Sequence, residues 1–134
     1  MTRFLDAATA WEGTPWAPSG AQLGKRSNCV GYLVRALEAS GHGELAALAR
    51  PAVNHEAPPQ ASSLARWCDE NLQSISKGEA APGDLLLFRF KGTPCHMAVL
   101  LEPGVILDCN TGYGKVCRNA IPVNWVLRGA YRLP

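Results

Sequence analysis

The sequence predicts an α+β fold, N-terminal helices packed on a C-terminal antiparallel sheet, and three observations predict it. Apolar residues of the first half recur at helical spacing. From Ala80 onward they gather instead into short runs divided by glycine and proline, as in "APGDLLLFRF", "HMAVLL", "GVILDC" and "KVCR". A chain of 134 residues with 47% apolar and 18% charged side chains is the right size to bury one core, so residues 1–134 read as a single domain.

The elements follow in order. Thr2 is placed to cap a first helix in which Phe4, Leu5, Ala8 and Trp11 share a face, and Gly13 with Pro15 ends it. "GTPWAPSGAQLGKRSN" reads as a loop. Val30, Leu33, Val34 and Leu37 then mark the clearest amphipathic helix, closed by Gly41. "ELAALAR" predicts a short helical turn, and the prolines of "PAVNHEAPPQ" predict a loop. "SSLARWCDENLQSI" predicts a helix with Leu64, Trp67, Cys68, Leu72 and Ile75 on one face and Ser62 or Ser63 as its cap. The later runs predict a meander, which "GAYRLP" could close. Helices first and strands second is the segregated order of α+β domains.

Composition excludes several function classes. A formal charge of +2, with basic residues scattered apart from Lys25 and Arg26, argues against nucleic acid as the partner. No apolar run approaches the ~20 residues of a membrane span. The N-terminal stretch carries Asp6 and Glu12 and lacks a secretory h-region, so the expectation is synthesis in the cytoplasm without a signal peptide and with no membrane partner; with no long exposed apolar pattern, a monomer is expected. Five cysteines is an odd number, and a reducing compartment keeps them as thiols rather than as a disulfide framework.

Cys29 stands out among them. It falls at the cap or first turn of the Val30 helix, where free backbone N–H groups and the macrodipole favour an anion, and the reactive form of cysteine is the thiolate. A nucleophile needs a base. His42 lies between glycines and His55 in a proline-rich loop, both read as solvated, whereas His96 opens the apolar run "HMAVLL" after the turn "KGTPC" and is the candidate base. A hairpin at "EPG" brings the next strand back beside it. A turn centred on Pro103 places Asn110 opposite His96 and Asp108 on the diagonal, both on the same face, so alternation leaves two candidates to orient the imidazole. Cys95, Cys109 and Cys117 lack CxxC or HxxxH spacing, so no metal site is predicted. Of Trp11, Trp16, Trp67 and Trp125, only Trp16, in the loop before Cys29, reads as a cleft residue.

In that order, "WEGTPW", "NCVGYLVRAL", "APGDLLLFR" and "HMAVLLEPGVILDCNTGYG" resemble the signature blocks of the NlpC family of papain-like cell-wall peptidases, also named after the listerial protein p-sixty. The resemblance runs from about Trp11 to Arg132. It implies a cysteine that begins a helix packed on an antiparallel sheet, a catalytic triad of Cys29, His96 and Asp108, and cleavage of amide bonds in peptidoglycan stem peptides, commonly between D-glutamate and a diamino acid. It implies no metal or cofactor, and it favours Asp108 over Asn110 as the third member, with Trp16, Asn28 and Asn110 left as substrate-binding candidates. The usual Asp-Cys-Ser-Gly is here Asn28-Cys29-Val30-Gly31, and the tyrosine usual after "GTP" is Trp16. Those lost hydroxyls touch substrate choice more than reaction class. The chain also resembles the phage-tail and prophage branch of the family, which implies delivery by a particle and phage-tail proteins as partners. The alternatives are an amidase or other thiol acyl transferase, and a tail component without turnover.

Overall fold

The computed structural model describes residues 2–18, 20–53, 58–90 and 93–134, with side chains described for all of these except 50–53, 58–63 and 93–95. Among the described residues four α-helices precede the main sheet: α1 (Phe4–Thr9), α2 (Gly31–Ala39), α3 (Gly43–Val53) and α4 (Pro58–Asn71). Between α1 and α2 lies a small antiparallel pair, β1 (Ala21–Gln22) and β2 (Arg26–Ser27). The main sheet holds β3 (Gln73–Ile75), β4 (Leu85–Phe90), β5 (Thr93–Glu102), β6 (Val105–Asn110), β7 (Lys115–Ala120) and β8 (Val126–Arg132), all antiparallel, in the order β3-β8-β4-β5-β6-β7.

The α+β reading and the meander from β4 to β7 agree with this architecture, and several details are corrected. Thr2 does not cap α1, which starts after Arg3 with no side-chain cap and ends at Thr9, short of Trp11. The 13–28 loop contains β1 and β2. The "ELAALAR" turn is an eleven-residue helix that runs through Pro51 to Val53. Pro58–Gln60, read as loop, open α4, where proline suits the first turn because its missing N–H is unbonded there anyway. Residues 54–57, His55 among them, lie outside the described residues. With α4 starting at Pro58, Ser62 and Ser63 are not its cap, and Ile75 belongs to β3 rather than to the helix face. The closing strand β8 does not extend the meander beyond β7; it returns to pair with β4. His42 is half-buried rather than fully solvated, because it follows a Schellman end to α2: Gly41, at φ 85°, donates to Glu38 O and His42 to Leu37 O.

Strand alternation divides the sheet into two apolar faces. Leu85, Leu87, Met97, Val99, Leu107, Cys109 and Val116 pack with the helices in the main core. Leu86, Phe88, Ala98, Leu100 and Ile106 form a second cluster on the far face, against partly buried Ile75, Phe90, Trp125 and Leu127. The β5–β6 hairpin turns through Pro103 and Gly104, the latter at φ 76°, a conformation that glycine adopts without strain. Val99 pairs with Leu107 and Leu100 with Ile106, the register expected from a turn centred on Pro103, after an irregularity between Leu100 and Glu102.

One ion pair ties the last strand to the start of β4. Asp84, 4% exposed, accepts two hydrogen bonds from Arg132, at 3.0 and 2.8 Å, and one from Ala81 N at 2.8 Å. Replacing Arg132 by methionine removes two donors from a buried carboxylate that keeps only the Ala81 N–H; because the arginine is itself half-exposed, urea denaturation is expected to register a loss of about 1.5 kcal/mol, the scale of lost hydrogen bonds to a charged group.

Candidate active site

The turn that enters α2 is built by two side chains. Asn28 Oδ1 accepts from Val30 N at 3.2 Å and Gly31 N at 2.7 Å, and Ser27 Oγ accepts from Tyr32 N at 2.9 Å. These satisfy three of the helix's first donors. The Cys29 N–H, one residue before the Val30 N-cap, is not among the donors they take up. Gly31 is required by proximity: a Cβ there would lie 2.8 Å from Gly20 O and 2.9 Å from Ala21 Cβ.

Two contacts seat this turn on β6. Tyr32, wholly buried, donates its hydroxyl to Leu107 O at 2.9 Å, and burial holds its pKa well above the usual phenol value. Cys109 Sγ donates to Ser27 O at 3.3 Å. Burial pushes the Cys109 thiol up to about 12, with nearby Cys29, Asp108 and Cys117 adding to the shift, so Cys109 stays a thiol at neutral pH.

His96 and Asp108 occupy the far face of the sheet, in line with Ala98 and Ile106 of their own strands. His96 Nε2 lies 3.0 Å from Asp108 Oδ2, with both side chains buried. Cys29 is within hydrogen-bonding reach of the same imidazole, so Nδ1 is the ring nitrogen left for the sulfur. Burial alone would lower the His96 pKa. The hydrogen bonds to Asp108 and Cys29, with their negative charge, outweigh it and raise the value to about 9. Phe90 and Trp125, stacked 4.2 Å apart, meet the edge of the imidazole at 5.6 and 5.2 Å.

Asp108 is surrounded by donors. Besides His96, Asn110 Nδ2 reaches Oδ2 at 2.8 Å and Asn119 Nδ2 reaches Oδ1 at 2.6 Å. Asn110 therefore bonds to Asp108 rather than to His96, and its Oδ1 accepts from Tyr113 N in the β6–β7 turn. Trp16 is half-buried and pinned beside that turn, its backbone N–H donating to Gly114 O at 2.9 Å and its backbone bridging to Ser27. Asn28, expected as a substrate contact, is buried with its oxygen engaged in the helix cap. Among the described residues no three His, Cys, Asp or Glu side chains gather in a way that could hold a metal ion.

Cys29, His96 and Asp108 thus come together, with Asn110 beside them and Trp16 on the neighbouring loop. Sequence reasoning missed Ser27, Tyr32, Phe90 and Asn119, and it set Trp125 aside as core. Only the Ser27-Asn28 pair ahead of an apolar period carried a readable signal, that of a helix cap. Tyr32, Phe90, Asn119 and Trp125 reach the site through strand pairing and long-range packing that no local pattern encodes.

A histidine whose folded pKa is raised from 6.5 to about 9 contributes stability that is complete below pH 6.5 and is lost as pH rises through 9. Cys109, ionising later in the folded chain than in the unfolded one, acts in the same direction at higher pH. Urea midpoints measured at about pH 6 and about pH 9.5 should therefore fall with pH in the native protein, and the fall should be smaller in His96→Gln.

No family model matches this chain, and no curated protein sequence matches it. Solved structures do. A Staphylococcus aureus protein described as similar to lipoprotein, NLP/P60 family, superposes with a TM-score of 0.65 at 23% identity over 97% of this chain. The peptidoglycan hydrolase RipB of Mycobacterium tuberculosis gives 0.63 at 16% identity, and the P60 domain of an M. avium subspecies paratuberculosis antigen gives 0.60 at 15%, each again over 97% of this chain. This chain spans 40% of the staphylococcal protein, 62% of RipB and 91% of the P60 domain. Over nearly its whole length, the chain therefore has the NlpC/P60 fold.

Proposed function

We propose that this protein is a cysteine peptidase that hydrolyses an amide bond in peptidoglycan stem peptides, of the D-glutamyl-diamino acid type. The observation that carries the proposal is a single chain of contacts: Cys29 in reach of His96, and His96 Nε2 held 3.0 Å from the buried Asp108 carboxylate. The peptidoglycan hydrolase RipB among its structural neighbours supports the substrate class.

The chemistry follows from protonation. With its pKa raised to about 9, His96 carries a proton on each ring nitrogen at neutral pH and stands beside Cys29 as the acid–base partner of the nucleophile. Sγ attacks the amide carbonyl. The backbone N–H of Cys29, outside the Asn28 and Ser27 caps, stabilises the oxyanion, a role in which losing one donor costs about a hundred- to a thousandfold in rate. His96 Nδ1 gives its proton to the departing amine, and the neutral imidazole then takes one from the water that releases the acyl group. Asp108 keeps Nε2 protonated throughout, so the nitrogen facing sulfur is the one that exchanges protons. Phe90 and Trp125 cover the imidazole and limit water around the ion pair. Trp16, beside the Cys29 turn, supplies an aromatic wall for substrate.

No helix among the described residues is long and apolar enough to cross a membrane. We infer that the substrate is the cell-wall peptide itself and that delivery by a phage-tail particle brings the chain to it, as the sequence resemblance implies.

The test is incubation of the protein and of Cys29→Ala with defined muropeptides, with products identified by mass. A cleavage at the D-glutamyl bond with the native chain, reduced at least a thousandfold in the variant, is the expected result. Loss of a different bond, or no cleavage by folded protein, would replace this substrate with another acyl donor.

A further inference from the structure

Asn119 has a place in this site that the triad alone does not explain. It stands on β7 opposite Ile106, and its amide reaches diagonally to Asp108 Oδ1 at 2.6 Å. His96 and Asn110 both bond to Oδ2, so among the described residues Asn119 is the side chain that holds the other carboxylate oxygen. With it in place the carboxylate cannot turn about its Cβ–Cγ bond without breaking a bond on each oxygen.

The same amide leaves its own oxygen without a partner. Asn119 Oδ1 is buried and takes no hydrogen bond among the described residues, whereas buried polar atoms are almost always paired. Turning the amide over would give that oxygen no relief, because it would then face Asp108 Oδ1 at hydrogen-bond distance, acceptor against acceptor. In the observed orientation both amides donate to Asp108, Asn110 to Oδ2 and Asn119 to Oδ1, so each carboxylate oxygen is held. Where Oδ2 accepts from His96, the ring proton sits on Nε2 and Nδ1 is left toward Cys29.

We propose that Asn119 is a positioning residue which, by fixing the Asp108 carboxylate in rotation, sets the orientation in which His96 activates Cys29. The inference rests on the nucleophile reading above. Asp108 faces His96 from β5, Cys117 from β7, Tyr32 from α2 and Cys109 from its own strand. None of these but His96 carries positive charge. Losing the Asn119 donor therefore frees one carboxylate oxygen, and a carboxylate free to turn no longer holds the imidazole in place for Cys29.

The experiment measures alkylation of Cys29 by iodoacetamide at pH 6 and at pH 9.5, located by peptide mapping, in the native protein, Asn119→Leu and Asn119→Gln. Leucine keeps the volume and removes the donor; glutamine keeps the donor. The expected result is a pH 6 rate about tenfold lower in Asn119→Leu, the scale of one hydrogen bond to a charged group, with the pH 9.5 rate unchanged and with Asn119→Gln closer to the native protein. Equal pH 6 rates in the native protein and Asn119→Leu, or an equal loss at both pH values, would overturn the role. A native protein whose Cys29 reacts at pH 6 no faster than an ordinary free thiol would instead sink the nucleophile reading itself. Should Asn119→Leu fail to fold by circular dichroism, Asn119→Ser, which withdraws the amide without adding apolar bulk, is read by the same outcomes.

Discussion

The seat of the amino end of α2 on β6 is the constraint on which the site depends. Cys29 belongs to the helix layer and Asp108 to the sheet, and nothing local relates them. Tyr32 and Ser27 do so, through bonds to Leu107 and Cys109 that join positions 75 and 82 residues apart in sequence. Each closes a long loop, whose entropy must be offset by the core that α1, α2 and the sheet share. Both bonds are buried, so a partner lost from either leaves a polar group in a dry interior.

The polar cluster succeeds at its depth because its donors and acceptors are matched. Asp108 has no exposed surface, and an isolated charge there would be prohibitive. One imidazole and two amides make it tolerable, and the low local dielectric strengthens the bonds that hold it. The aromatic pair of Phe90 and Trp125 closes that environment over His96. The pKa of His96 follows from this arrangement: burial opposes the cation, and its interactions with Asp108 and Cys29 more than restore it.

Register transmits the design along the sheet. His96, Asp108, Asn110, Cys117 and Asn119 occupy one face because β5, β6 and β7 pair as they do, with Asp108 opposite Cys117 and Ile106 opposite Asn119. A slip of one residue in β6 would send Asp108 into the helix-side core and bring Cys109 to the site. The Pro103–Gly104 turn, together with the apolar demands of Leu107 and Cys109 on one side and Ile106 on the other, prevents it.

The sequence by itself determined the α+β order, the amphipathic α2 with its glycine end, the β5–β6 hairpin and its register, because each is written in short-range periodicity or turn chemistry. It also singled out Cys29 and His96 as nucleophile and base candidates, and limited the third position to Asp108 or Asn110, since alternation along a strand is a local rule. Tertiary structure decided the rest. Helix α3 runs through Pro51, and α4 begins at Pro58, where position within the first turn outweighs a proline's usual reading as a breaker. Strand β8 returns to β4, a choice between two sheet edges that no run of residues expresses. The choice of Asp108 over Asn110 as the partner of His96, and the arrival of Asn119 and Trp125, depend on distances of a few tenths of an ångström between chain segments far apart in sequence. Such distances are set by the packing of the whole core, and a pattern read along one segment does not contain them.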